Sequence, residues 1–446
     1  MKRIFCILAL GAIVFASCQR EEVFVDRSSE VKSDVLVVDT KTRSYDEALA
    51  IAEDALKLLE GDETRSTNKR VIKRSEGQTV MRPVTRGSET EEEPIMYVFN
   101  NEDNQGFTVV AADRSQQPLI AVTEYGNYTF GKPTGVEPFD LLMEDVATTL
   151  SFNPPTLIDP EIPLDPTPGC YFDTVDIYER MDPLIATKWH QEGIFGNECT
   201  NGVSGCAATA FGQIMAYHGY PASITLTHNN NTNLSFDWDN IRRIIIGNEI
   251  FLRDREPKKQ IGLLLREIGE RMNMYYDNDQ SVSGATSQNI LRGIRNLGYS
   301  AASINENTTV GLDFFELKYN IGNGFPVIVL GVREGNIGHA WIADGIHRRE
   351  YAIYMYVTNP NYDPTIIYNN PEPPYILGEI TDQVFERLVH YNWGRPNGSC
   401  NGWFTTSCYS LDDAESYDNN QSNNHAGSIY NYCYDIGIIS DIQPNN

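Results

Sequence analysis

Positive charge is scarce in this chain: 35 Lys and Arg stand against 61 Asp and Glu, a formal net charge of −26. Such a balance offers no basic face for nucleic acid or for anionic lipid, so neither is expected as a partner. Cysteine is also sparse, at eight residues, and neither C-x-x-C nor H-E-x-x-H occurs. That removes the common zinc patterns and any dense disulfide framework, and no metal or cofactor is expected. The apolar run from Ile4 to Phe15 is too short to cross a bilayer. What remains is an ordinary globular composition, with 446 residues providing for two or three domains.

The apolar run follows Met1-Lys2-Arg3 and closes on Ala16-Ser17-Cys18, and it resembles a bacterial lipoprotein signal. The resemblance implies a signal over residues 1–17, cleavage that leaves Cys18 lipidated, and export to the cell envelope as an outer-membrane or surface lipoprotein. Membrane contact would then run only through the lipid. Residues 18–41, acidic from Glu21 to Asp26, read as a solvated tether.

Ser44-Tyr45-Asp46-Glu47 reads as a capping box, and Ala48, Ile51, Ala52, Ala55, Leu56 and Leu59 continue at helical spacing to Gly61. Glu63 to Pro94 is rich in charge and poor in anything to bury, which predicts a flexible linker. Met96–Phe99 and Phe107–Ala111 predict a hairpin, extended by strands at Leu119–Val122 and Tyr128–Phe130. These make a small α+β domain over residues 42–153, closed by a proline-rich linker at 154–168. The rest, 169–446, runs helices first and strands later: helices from Cys206 to His218, Gln260 to Met274 and Asn289 to Leu297, then strands at Pro326–Leu330, Gly338–Gly345 and Tyr351–Val357. Ser281 to Ser287 reads as a small-residue loop. The fold class is α+β throughout.

Cys206 follows Ser204-Gly205 and opens the first of these helices, where unpaired N–H groups and the dipole favour a thiolate. His339 stands 133 residues further on, in a strand between Gly338 and Ala340. Cysteine at a helix start with histidine at that separation is the order of papain-like proteases, in which imidazole takes the thiol proton. Asn392 and Asp344 are candidates to orient the histidine; strand alternation places residues 339 and 344 on opposite faces and favours Asn392, shielded by Trp393. The Cys206 N–H and the Gln191 amide would stabilise an oxyanion, whereas Gln213 lies deeper in the helix and packs.

Several segments in order resemble the streptopain (C10) family of papain-like cysteine peptidases. They are Trp189-x-Gln191, Gly205-Cys206-x-Ala208-Thr209-Ala210-x-x-Gln213-Ile214-Met215, Tyr217-His218-x-Tyr220-Pro221, Met274-x-Tyr276, Ser283-Gly284-Ala285, Gly338-His339-Ala340-Trp341-x-x-Asp344-Gly345 and Asn392-Trp393-Gly394. The resemblance implies a two-part peptidase, with a helical part carrying the cysteine and an antiparallel sheet carrying histidine and asparagine. It implies Cys206 as nucleophile, His339 as base, Gln191 in the oxyanion hole, Asn392 and Trp393 supporting the histidine, and substrate contacts at Ser283 and Gly338. Residues 42–153 resemble the family's inhibitory propeptide, an intramolecular partner beside protein or peptide substrates. Two departures stand out: a short connection from Gln191 to Cys206, and Arg395-Pro396-Asn397-Gly398-Ser399-Cys400 where the family continues with a glycine-rich loop. The resulting expectation is an exported cysteine endopeptidase made as a zymogen. The alternatives are an idle binding protein on the same fold and a Cys-His-Asp acyltransferase or transglutaminase using Asp344.

Overall fold

An eleven-stranded sheet organises the described residues, and its antiparallel ladder joins the N-terminal third of the chain to the rest. The computed structural model describes residues 42–60, 70–86, 89–114, 116–151, 170–243, 255–277, 282–304, 312–333, 337–357, 375–406 and 435–445. The signal, the tether, the linker at 154–168 and Cys18 lie outside them.

In chain order the strands are β1 (Gln78–Arg86), β2 (Glu89–Asn100), β3 (Phe107–Ala111), β4 (Leu119–Thr123), β5 (Cys170–Met181), β6 (Tyr299–Ile304), β7 (Val327–Arg333), β8 (Ile337–Val357), β9 (Tyr375–Asn392), β10 (Gly402–Thr405) and β11 (Asp435–Pro444). Their spatial order is β1-β2-β3-β4-β10-β9-β8-β7-β11-β6, with β5 pairing β8 off that path. The longer helices are α1 (Tyr45–Ala55), α2 (Glu137–Ser151), α3 (Cys206–His218), α4 (Arg255–Arg271), α5 (Ser287–Asn296) and α6 (Phe314–Gly322).

α1 starts where the sequence predicted: the Ser44 hydroxyl accepts from the Glu47 N–H, and Glu47 returns the bond to the Ser44 N–H. The linker predicted from Glu63 is corrected beyond residue 77, because Gln78–Arg86 and Glu89–Asn100 form a hairpin. In its register Arg82 stands opposite Glu93, and the Arg82 guanidinium pairs with Glu144 of α2. Tyr128–Phe130 is not a strand. The Asn100 side chain takes both backbone groups of Tyr128, accepting from its N–H at 2.7 Å and donating to its carbonyl at 2.8 Å.

Tyr351–Val357, expected as a separate strand, continues the 21-residue β8. The loop expected at Ser281–Ser287 contains the strand Val282–Gly284, which pairs with Tyr275–Asp277.

β8 separates two apolar cores, as period-2 alternation requires. Ala340 and Ile342 pack with Ala207, Phe211 and Ile214 of α3 and Leu264 and Ile268 of α4. Trp341 and Ala343 pack on the other side with Phe139 and Met143 of α2, Val109 of β3, and Tyr391 and Trp393. That second core is built jointly by the N-terminal third and the sheet of the C-terminal part. The seam is the β4–β10 pairing, Thr123 opposite Gly402 and Val122 opposite Trp403. A Cβ on Gly402 would fall 2.3 Å from the Val122 carbonyl oxygen, so glycine permits this approach.

Candidate active site

Cys206 is the first residue of α3, and Gly205 caps the helix with φ 87° and ψ 150°, a conformation open to glycine. A Cβ at Gly205 would also meet the Met274 methyl at 2.2 Å. Everything from Ala207 to Ala216 is buried, so the helix is fixed while Cys206 at its tip stays half-buried. Burial pushes the Cys206 thiol above its ordinary value, against the Ala340, Ala207 and Cys206 N–H groups, which act to lower it.

His339 is buried in β8, on the Trp341 face of the strand, with its ring stacked on that indole at 6.2 Å. Its Nε2 lies 3.2 Å from the Trp393 carbonyl oxygen. A carbonyl only accepts, so Nε2 carries the proton and Nδ1 holds the basic lone pair. Burial, then the Arg395 charge, push the imidazole down to about 3, against the raising effect of the Trp393 bond. Burial thus favours the neutral form of both thiol and imidazole. Among the described residues no hydrogen bond joins Cys206 to His339.

The expected bond from Asn392 to His339 is not made. The Asn392 amide donates to the Thr187 carbonyl at 2.9 Å and to Gln213 Oε1 at 3.3 Å, while its oxygen accepts from the Gly394 N–H at 3.1 Å. The histidine's acceptor is the next residue's backbone, and Asn392 shapes the turn that presents it. Trp393 is buried and held by its own N–H to Asn401 at 2.9 Å and its indole N–H to the Cys400 carbonyl at 3.0 Å.

Gln213 has a larger part than packing. Its Oε1 accepts from the Thr187 hydroxyl and the Trp189 N–H, both at 3.0 Å, as well as from Asn392. It thereby ties α3 to the segment carrying Gln191 and to the turn after β9. The sequence signal was a fully polar residue on a helix face that is otherwise buried.

Gln191 is half-buried; its backbone carbonyl accepts from the Ser204 N–H at 2.9 Å, and its side-chain amide makes no hydrogen bond to a described residue. Ser283 stands against Gly205, 3.1 Å from where a Cβ would be, and its hydroxyl donates to the Val203 carbonyl at 3.3 Å. Gly338 is exposed beside His339.

Asp344 is buried and serves another histidine. One of its oxygens accepts from the Ile185 N–H at 2.9 Å and the other pairs with His390 Nδ1 at 2.7 Å. Beyond His390 lies Glu124, 3.4 Å from Nε2, and Glu124 also binds Lys188 Nζ at 2.9 Å. Burial alone would lower His390; Asp344 and then Glu124 outweigh it and bring the imidazole up to about 9. Glu124 is held far below the usual carboxylate range by His390 and Lys188, despite burial.

Residues 187–404 match the Peptidase C10 family, and residues 38–148 match the Spi protease inhibitor family. Residues 187–404 are thus a region of the Peptidase C10 family. It is 24% identical over 286 residues to streptopain of Streptococcus pyogenes, covering 57% of this chain and 69% of that protein. It is 23% identical to the thiol protease/hemagglutinin PrtT of Porphyromonas gingivalis, over 57% of this chain and 31% of that one. A prointerpain A fragment from Prevotella intermedia superposes with a TM-score of 0.46 at 17% identity, covering 83% of this chain and all of the fragment.

The chain is therefore a cysteine peptidase with an inhibitor-like domain ahead of it. Glu124 belongs to the inhibitor-like region, and Lys188 and His390 to the peptidase region, so their ion pairs cross the seam.

Proposed function

We propose that this chain is an exported cysteine endopeptidase held inactive by its own N-terminal domain, and that Cys206 is its nucleophile. In the active state His339 Nδ1 takes the Cys206 proton and the thiolate attacks the peptide carbonyl; the imidazolium gives that proton to the leaving amine as the C–N bond breaks, and water then hydrolyses the thioester to release the acid and restore the thiol. The Cys206 N–H and the uncommitted Gln191 amide stabilise the oxyanion. Trp393 holds the imidazole through its carbonyl, and Asn392 positions Trp393. Ser283 and Gly338 border the substrate. Cys18 anchors the exported chain in the envelope.

The observation that carries this reading is the shared core. Residues of the inhibitor-like region pack on Trp341, Tyr391 and Trp393, the aromatic group that fixes His339. While that core is intact Cys206 and His339 make no hydrogen bond to each other, and burial favours the neutral form of each, as suits a precursor. Removing residues 42–153 uncovers the Trp341 face and frees His339 to turn toward the sulfur.

The test is incubation of the chain lacking residues 1–17 under reducing conditions, followed by mass spectrometry over time beside a Cys206→Ala control. Trimming ahead of Trp189 and subsequent casein cleavage by the wild type alone support the reading. An uncut wild type that also fails to act on casein after another protease has removed its N-terminal domain overturns it.

A further inference from the structure

Two cations border the turn that follows Trp393, and only one of them is answered. Lys188 lies under this turn, its Cδ 2.8 Å from where a Cβ on Gly398 would stand, and it pairs with Glu124 at 2.9 Å. Arg395, which opens the turn at Pro396–Gly398, makes no ion pair or side-chain hydrogen bond with any described residue, and its Nε is buried without a partner. A buried donor left unpaired is destabilising, more so on a charged group. Arg395 therefore has donor capacity left for a group beyond the described residues.

The position of Arg395 indicates what. Two residues before it, the Trp393 carbonyl holds His339. One residue before it, Gly394 packs against α3, its Cβ position 3.5 Å from Thr209 Cγ2. Arg395 thus follows the turn after β9 that holds His339 and packs on the cysteine helix, and its charge acts on both Cys206 and His339. A guanidinium is a planar fork that matches a carboxylate with two parallel hydrogen bonds. The chain's own stretch 154–168 carries Asp159, Glu161 and Asp165 and no Lys or Arg, which is the complementary charge on a segment ahead of the peptidase region.

We propose that Arg395 is a specificity-determining residue that binds an Asp or Glu side chain within two residues of the scissile bond, and that the acidic 154–168 stretch is a substrate of this kind. The inference rests on Cys206 being the nucleophile. Its reach is limited to the charge of one substrate position; apolar preference at the other positions is independent of it.

The test uses the full chain lacking residues 1–17, after activation, with quenched peptides that differ only by Asp or Asn at each of the four positions around the cut. The wild type should prefer Asp at one position by about tenfold or more in kcat/KM, with the preference shrinking as salt rises. Arg395→Lys should keep part of that ratio, Arg395→Gln should bring it to about one, and Arg395→Glu should favour a Lys peptide at the same position. Cleavage that depends on Cys206 but shows equal Asp and Asn rates at all four positions in the wild type overturns the inference alone. An Asp preference that survives unchanged in Arg395→Gln does the same. Absence of any Cys206-dependent cleavage overturns the nucleophile reading, and this inference with it.

Discussion

His339 and His390 sit on neighbouring strands, both buried, and their imidazoles are driven in opposite directions. Burial lowers each of them. His339 has a neutral carbonyl for a partner and a cation nearby, and it falls to about 3; His390 lies between Asp344 and Glu124, and it rises to about 9. A histidine between two carboxylates is a fixed cation that serves cohesion. A histidine held only through one nitrogen keeps a free lone pair, and that is the group available for proton transfer. The two residues divide chemistry from assembly, and each can be removed to test the division.

The largest effect falls on the chemistry. Cys206→Ala and His339→Ala should each lower kcat/KM of the processed enzyme by at least about 10⁴-fold, while His390→Ala should leave turnover within about tenfold, measured on one peptide for all three. The order reverses in stability. His390→Ala leaves Asp344 buried without its partner and should lower the unfolding free energy by roughly 3–5 kcal/mol, read by chemical denaturation at pH 7.

The pH dependence of stability should show both histidines at once. His390, raised in the folded state, contributes fully below about pH 6.5 and loses that contribution as pH rises through about 9. His339, lowered in the folded state, has the opposite sign: the unfolded chain takes up its proton first, so stability falls as pH drops from about 6.5 toward 3. Denaturation midpoints should therefore fall on both sides of neutrality. His390→Gln should flatten the alkaline limb and His339→Gln should flatten part of the acid limb, each by an amount on the order of 1–3 kcal/mol.

The seam gives the smallest effect. Glu124 retains 26% side-chain exposure, so Glu124→Gln should weaken docking of the N-terminal domain by about 1–2 kcal/mol. The readout is processing speed, expected to rise roughly tenfold. Unchanged processing in Glu124→Gln would move the latch to the apolar core alone.

How much of this was legible in the sequence depended on how local the cause was. The Ser44–Glu47 box, the α3 start at Cys206 and the closure after α5 at Gly298 are decided by residues within a turn of each other, and each appears where the pattern placed it. The β1–β2 hairpin was hidden because charged and polar residues fill much of both strands, and the partner of Arg82, Glu144 on α2, is 62 residues away. The helix α2 was not among the expected elements, although Phe139, Leu142, Met143 and Val146 recur at helical spacing, and it joins the core that holds Trp341.

At the site, the residue types of Cys206 and His339 carried their own chemistry. The histidine's acceptor could not be read that way: it is a backbone carbonyl at Trp393, and backbone groups leave no mark on a sequence. Asn392 and Gln213 are both buried amides whose partners come from segments far apart in the chain. The continuous sheet through β4 and β10 is likewise a pairing between distant segments that neither strand's own residues announce.

If the N-terminal domain keeps Cys206 disarmed, the rate of Cys206 alkylation must change when that domain is removed. Iodoacetamide at neutral pH, with peptide mass spectrometry to separate Cys206 from Cys199 and Cys400, gives the rate at each cysteine. Cys206 should alkylate slowly in the intact chain, as a neutral thiol does, and at least about tenfold faster after processing, a gain lost again in His339→Ala. Equal rates before and after processing, or a fast reaction indifferent to His339, would contradict it.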